Sequence, residues 1–215
     1  MALNINGTTG ISGVDGSVSA PAVTGTDSNT GITFPAADTI KFATGGVERM
    51  SITNSGFGGI IQGLTEFDYW YLTTSVTSDQ TLTSNIIRND RNGITPAERI
   101  GTGMSESSGI FTFPSTGKYL VFVIASFVIN GSDSVVLDTM VTVNNSSYSA
   151  HSRATDGAGS GTRTGSGSSL ALIDVTDTSQ VKVKFDAGSI ASGSSVIGTS
   201  SYISTAFIFT KIGET

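Results

Sequence analysis

The chain has no cysteine, one histidine, one tryptophan and four prolines in 215 residues. Without cysteine there is no disulfide, no thiolate nucleophile and no Cys-ligated metal, so nothing in it depends on an oxidising compartment. Charge is sparse as well: 13% of residues are Asp, Glu, Lys or Arg, and the 11 basic ones are scattered. A nucleic-acid surface needs clustered Lys and Arg to neutralise phosphates, and a chain of formal net charge −6 without such clusters excludes nucleic acid as a partner. Long apolar runs are missing too. The longest, residues 119–129, is too short to span a bilayer, and residues 1–7 lack the cationic start and apolar core of a secretion signal. The expectation is a soluble protein made in the cytoplasm, with no membrane partner.

What the chain has instead is Ser, Thr and 27 glycines. Few long straight-chain residues remain to favour helix over strand, so the expected fold is all-β. With 37% hydrophobic residues it can fill one core of ordinary size and leave a poorly cored remainder. That remainder is residues 1–63, where isolated apolar residues such as Ile32, Phe34, Ile40, Phe42, Met50 and Ile52 sit in a Gly/Thr/Ser-rich background. Thr39-Ile40-Lys41-Phe42-Ala43 and Glu48-Arg49-Met50-Ser51-Ile52 alternate as strands do, broken at Thr44-Gly45-Gly46 and Asn54-Ser55-Gly56. Too little apolar surface is present to close a core alone. The alternation favours an extended β-rich arm, ordered by packing on other chains, over disorder. Gly56-Phe57-Gly58-Gly59 reads as a hinge between this arm and the main domain, 64–215.

In the main domain, Phe67-Asp68-Tyr69-Trp70-Tyr71-Leu72 concentrates too much aromatic area to leave in water and reads as a buried first strand. Residues 79–109 are polar and irregular, with Asn92-Gly93 and Thr95-Pro96 as turn signals. Residues 118–129 are apolar on both faces of a strand. Tyr119, Val121, Val123, Ala125, Phe127 and Ile129 point one way, and Leu120, Phe122, Ile124 and Val128 the other. A sandwich strand with one face in water would alternate polar and apolar, so this one must be covered twice. Residues 202–212 repeat the pattern, with Tyr202, Ala206, Ile208 and Ile212 opposing Ile203, Phe207 and Phe209. Contact between subunits is the economical cover. After the Asn130-Gly131 turn, 134–143 is expected to return as a hairpin partner, and 181–186 to alternate with Lys182, Lys184 and Asp186 outward. Residues 149–169, dense in Gly, Ser and Thr, are expected to form a long surface or contact loop.

Little points to catalysis. A Ser-His-Asp relay would have to use His151 with Asp156 or Asp174, but no Gly-x-Ser-x-Gly elbow occurs, and proximity to some serine follows from composition. A loop histidine in or near an interface is the preferred reading. Thr116-Gly117-Lys118 fails as a phosphate-binding loop because Thr112 stands where the upstream Gly is needed and Tyr119 where Ser or Thr is needed. Asp133, Asp138, Asp174, Asp177 and Asp186 are dispersed, each expected at a strand end or turn, and no EF-hand pattern is present. No catalytic, cofactor-binding or metal-binding residue is assigned, and no cofactor.

Three stretches carry a resemblance. Phe111-Thr112-Phe113-Pro114-Ser115-Thr116-Gly117-Lys118-Tyr119, leading into the apolar run that ends at Asn130-Gly131, resembles the segment in which complement-C1q and tumour-necrosis-factor-like jelly rolls are most alike. Residues 16–40 with Gly46-Val47-Glu48-Arg49-Met50 resemble a module of tail-fibre and other virion proteins of tailed bacteriophages, especially those of marine bacteria and cyanobacteria. Trp70-Tyr71-Leu72-Thr73-Thr74, Ser84-Asn85, Arg88, Gly101-Thr102-Gly103-Met104, Leu170-Ala171-Leu172 and Phe207-Ile208-Phe209 resemble the C1q-like knobs of such phage proteins.

These resemblances imply an all-β, C1q/TNF-like jelly-roll sandwich that is homotrimeric, with residues 1–63 as an arm for virion attachment and 64–215 as the knob. Together with an arm that needs neighbours to order it, this gives the expectation of a non-enzymatic structural protein on the virion surface, a trimeric capsid decoration or cement protein that contacts the major capsid protein or other virion proteins. The alternative is a short tail fibre or receptor-binding knob that recognises a host surface glycan through Tyr148 and 149–169. The absence of long repeats or a shaft argues against a long receptor-reaching fibre.

Overall fold

A computed structural model describes residues 4–6, 10–12, 15–58, 64–89, 99–157 and 159–215. The chain divides into two compact units, Met1–Gly63 and Leu64–Thr215.

The N-terminal unit contains a five-stranded antiparallel sheet, in the order Val23–Thr24, Gly31–Thr33, Ile40–Thr44, Val47–Thr53 and Gly56–Gly58. Gly45 and Gly46, at φ 60° and 74°, form the two-residue turn between its third and fourth strands, a backbone that twists with the hairpin and favours glycine at both positions. The 56–58 segment is the last strand of this sheet, pairing with residues 51–53, so it is not the hinge that its glycines suggest. Gly59 lies outside the described residues.

The main domain is a sandwich. Its longer strands are β1 (Phe67–Leu72), β2 (Gly117–Asn130), β3 (Ser134–Thr142), β4 (Ser149–Gly157), β5 (Thr162–Val175), β6 (Lys182–Gly188), β7 (Ser195–Thr199) and β8 (Ala206–Gly213). The first sheet runs β1, β8, β2, β5, with Ile86–Arg88 and Arg99–Ile100 on the free edge of β1 and β7 pairing beside Phe127 and Val128 where β8 ends. The second runs Ser105–Ser107, Ile110–Thr112, β6, β3, β4, with Gln80–Thr81 also pairing with β6. Both sheets are antiparallel throughout, and the strands cross repeatedly between them, as in a jelly roll. β3 is therefore not the hairpin partner of β2: both edges of β2 are taken by β5 and β8, so the turn after Asn130 carries the chain across to the other sheet.

Aromatic rings from both sheets fill the core. Phe111 stacks on Phe209 with centroids 5.1 Å apart, Trp70 meets Phe111 edge-on at 5.1 Å, and Phe185 meets Phe207 at 4.2 Å. The Pro114-Ser115-Thr116-Gly117 turn is locked onto this core by Tyr119. The phenol is buried and within hydrogen-bond distance of Ser115 Oγ, at 3.0 Å, and it donates to the Ser115 carbonyl at 3.1 Å. The irregular 79–109 stretch is tied down as well. Leu82, Ile86 and Met104 are buried, and Asp68, itself buried, takes a bidentate pair from Arg88 at 2.8 and 3.0 Å and the Met104 amide at 2.7 Å. The Asn92-Gly93 and Thr95-Pro96 turn signals lie outside the described residues.

Candidate assembly surface

Cross-strand register fixes which side chains share the outer face of the first sheet, because directly opposed residues lie on one side. Ile87, Tyr71, Ala206, Ile124 and Ser168 make one row. Tyr69, Ile208, Phe122 and Leu170 make the next, and Ile100, Phe67, Thr210, Leu120 and Leu172 the third. A fourth row ends the patch with the Lys118–Asp174 ion pair at 2.7 Å. Within a single chain most of this face is open: Leu170 is 56% exposed, Leu172 55% and Ile124 40%, while Leu120, Phe122 and Ile208 are half-buried and only Tyr71 and Ala206, in the first row, are buried. Scattered apolar residues on a surface are ordinary, but three adjacent rows of them form a contiguous patch of the kind that marks an interaction site.

The outer face of the second sheet is built the opposite way. Arg153, Asp138, Asp186 and Thr81 stand in one row across four strands. Arg153 pairs bidentately with Asp138 at 2.6 and 2.7 Å, Thr81 donates to Asp186 at 2.6 Å, and Lys184 lies 3.4 Å from Asp186. These bonds offset the repulsion of two carboxylates placed opposite each other, and Asp138 in turn holds the Arg153 guanidinium above its ordinary pKa. Asp138 and Asp186 are thus mid-strand members of a ladder and not residues of strand ends. One outer face of the sandwich is polar and internally paired; the other is apolar and for the most part uncovered.

The outer-face assignments of Leu120, Phe122, Ile124 and Val128 agree with the alternation in the sequence, and Phe207 and Phe209 face the core. Tyr202 lies in a bend before β8 instead of in the strand, and is 60% exposed. The residues that periodicity passed over are Leu170 and Leu172. Their signal was a Leu-x-Leu pair at the end of the Gly/Ser-rich stretch, hidden because that stretch read as loop.

The 149–169 segment is two strands joined by a short connection: β4 in the second sheet and the first half of β5 in the first. In β5, Gly165 and Gly167 occupy alternate, inward positions opposite Phe127 and Ala125. A Cβ on Gly167 would stand 2.6 Å from the Thr155 carbonyl oxygen and 2.8 Å from its amide nitrogen, and one on Gly165 would overlap the Asp156 carboxylate. Along the inward side of β5 the residues grow from Gly165 and Gly167 through Ser169 and Ala171 to Ile173 and Val175, so the sandwich narrows toward one end. Tyr148, beside this segment, is half-buried with the Lys184 ammonium 5.1 Å from its ring centroid, and its phenol oxygen is shielded from water.

His151 is exposed on β4, and the two carboxylates that could have oriented it are occupied elsewhere: Asp156 pairs with Arg163 at 3.1 Å and Asp174 with Lys118. The Arg163 guanidinium holds the Asp156 carboxyl below its ordinary range. Hydrogen bonds from Ser194 and the Ala191 amide do the same for Asp133, and those from Ser179 for Asp177. These two Asp residues brace turns. Among the described residues no group of three His, Asp or Glu side chains is placed to hold a metal ion.

No protein-family profile matches the chain, and no curated protein matches it either. Solved structures do. Eiger TNF from S. frugiperda superposes with a TM-score of 0.53 over 71% of this chain and 96% of its own, at 12% identity. Murine APRIL at pH 8.5 covers 68% of this chain and 98% of its own, with a TM-score of 0.49 and 11% identity. At such identities the likeness to Eiger concerns the fold alone: this is an all-β protein with a jelly-roll sandwich of the tumour-necrosis-factor type.

Proposed function

We propose that this chain is a non-enzymatic structural protein of a tailed-phage virion, a homotrimeric knob that decorates and cements the head and is attached through residues 1–63. The observation that carries the assembly is the apolar outer face of β1, β8, β2 and β5, opposite a polar face that needs no partner. Such a face is stable in water when a copy of the chain covers it, and a cyclic arrangement of three copies does so without leaving a free surface of the same kind. The phage setting rests on the resemblance of residues 16–50 to virion modules. The mechanism is additive burial: a trimer seated across capsomer joints stabilises the assembled shell by binding it in preference to its separated parts.

Two experiments test this reading. Light scattering of the purified chain is expected to give three times 22.0 kDa; a monomer would remove the assembly and the function inferred from it. Immunogold labelling of intact virions with an antibody to the knob is expected to decorate the head. Label confined to the tail would replace cement by a short fibre, and particles without label would remove the virion role.

A further inference from the structure

The N-terminal sheet also has two unlike faces. Register places Val23, Ile32, Phe42 and Met50 in one row and Ile40 beside Ile52 in the next, all on one side. Phe34 joins them, lining with Ile40 and Ile52 an open groove of about 530 Å³. None of these seven apolar side chains is buried, and Val23 and Phe34 are 50% and 39% exposed. The other side carries Gly31, Thr33, Lys41, Ala43 and Ser51, and it is the covered one. The Gly16–Ser17/Ala20–Pro21 hairpin lies against Gly31–Thr33, Thr33 donates to the Asp15 carbonyl at 2.7 Å, and Thr33, Ala43 and Ser51 are buried. The unit therefore buries its small residues and leaves its large apolar ones open. Ala43 is its one fully buried hydrophobic residue among those described.

We infer that this apolar face is covered by the same face of other copies of the chain, so that the N-terminal units associate with one another alongside the assembled knobs. The inference rests on the knob assembly proposed above. Area argues for a tethered copy: seven partly exposed side chains offer on the order of 300–400 Å² per chain, well short of the roughly 800 Å² per partner of a stable free-standing interface. A unit joined to an assembled knob meets its copies at an effective concentration of about millimolar, which makes such a small patch sufficient. Charge argues the same way. Lys41 and Glu48 neutralise each other at 2.6 Å, with Lys41 on the covered side of the sheet; among the described residues Asp38 is the one charged residue lining the groove, and Arg49, held by Thr44 at 2.8 Å, stands at the hairpin end of the face, so few charges of one sign meet between copies. Contact with a virion then falls to the rest of the unit.

The absence of cysteine makes the test clean, because each single-cysteine variant of the full-length chain carries one thiol. Met50→Cys and Ile40→Cys place it on the apolar face, and Ser28→Cys places it on an exposed loop. Packed sheets lie about 10 Å apart, so a bismaleimide of similar span is the probe. In assembled protein the two face variants are expected to cross-link about tenfold more than Ser28→Cys, with a yield unchanged on dilution. Adding Phe42→Asp is expected to abolish the cross-link while light scattering still reports the assembled mass. Equal cross-linking of face and loop variants in assembled protein, or persistence of the cross-link with Phe42→Asp, would overturn this inference and leave the knob assembly standing. A monomeric mass would overturn both.

Discussion

Gly117 and Tyr119 show how single residues make a recognisable stretch of sequence. Gly117 sits at φ 142°, and a Cβ there would stand 2.7 Å from the Gly213 carbonyl oxygen and against the Lys211 side chain, so the turn into β2 accepts no larger residue without strain. Two residues on, burial pushes the Tyr119 phenol above its ordinary value of 10.0, more than its bonds to Ser115 pull it down. A phenol kept neutral in the folded chain ionises first in the unfolded one, so the folded state is favoured up to about pH 10 and loses stability as pH rises beyond it. Tyr148 shifts in the same direction, also through burial. Tyr119→Phe should therefore flatten part of the fall in urea midpoint between about pH 9 and pH 11, at the cost of the hydrogen bonds to Ser115. An unchanged slope would show that the phenol is not protected. The aromatic-proline-glycine-tyrosine spacing was legible in the sequence because each of its residues answers a local demand of the turn.

At the scale of elements, alternation carried the reading where side chains were large and failed where they were small. β2 was legible because its inward and outward residues are both bulky and differ only in what covers them. β4 and the first half of β5 were not. Gly165 and Gly167 occupy inward positions, where close approach to Asp156 and Thr155 removes the room for a side chain, so the usual apolar signal is erased. Gly167→Ala should destabilise the chain by about 1–3 kcal/mol through this forced separation, measured as a lowered denaturant midpoint with an unchanged slope. A true surface loop would absorb the methyl group with no change. The partners of β3 were equally illegible, because both outcomes at the Asn130-Gly131 turn, a return along β2 or a crossing to the other sheet, use the same turn residues.

For the whole molecule, the contrast between outer faces separates folding from assembly. Leu172 is 55% exposed in the single chain and opposes Leu120 at the edge of the apolar face. Leu172→Glu should change the stability of the isolated fold by no more than about 0.5 kcal/mol, because it removes little buried area there. In the assembly proposed above it would place a charge in a dry contact, so light scattering should move from the proposed trimer mass toward 22.0 kDa while the circular dichroism spectrum stays that of a folded β protein. Retention of the trimer would place the contact on another surface. The aromatic core of Phe111, Phe185, Phe207 and Phe209 is untouched by this change, which keeps assembly and folding separable in the measurement.

Composition and alternation by themselves determined that the chain is all-β and that its longest strand is apolar on both sides, because strand propensity and the two-residue period are local properties of the backbone. Tertiary structure decided which strands pair, that the Gly/Ser-rich stretch narrows a sandwich instead of looping from it, and that one outer face pairs its own charges while the other is left open. Those outcomes depend on residues far apart in the chain meeting across a sheet, as Arg153, Asp138, Asp186 and Thr81 do, and no local pattern records such a meeting before the chain has folded.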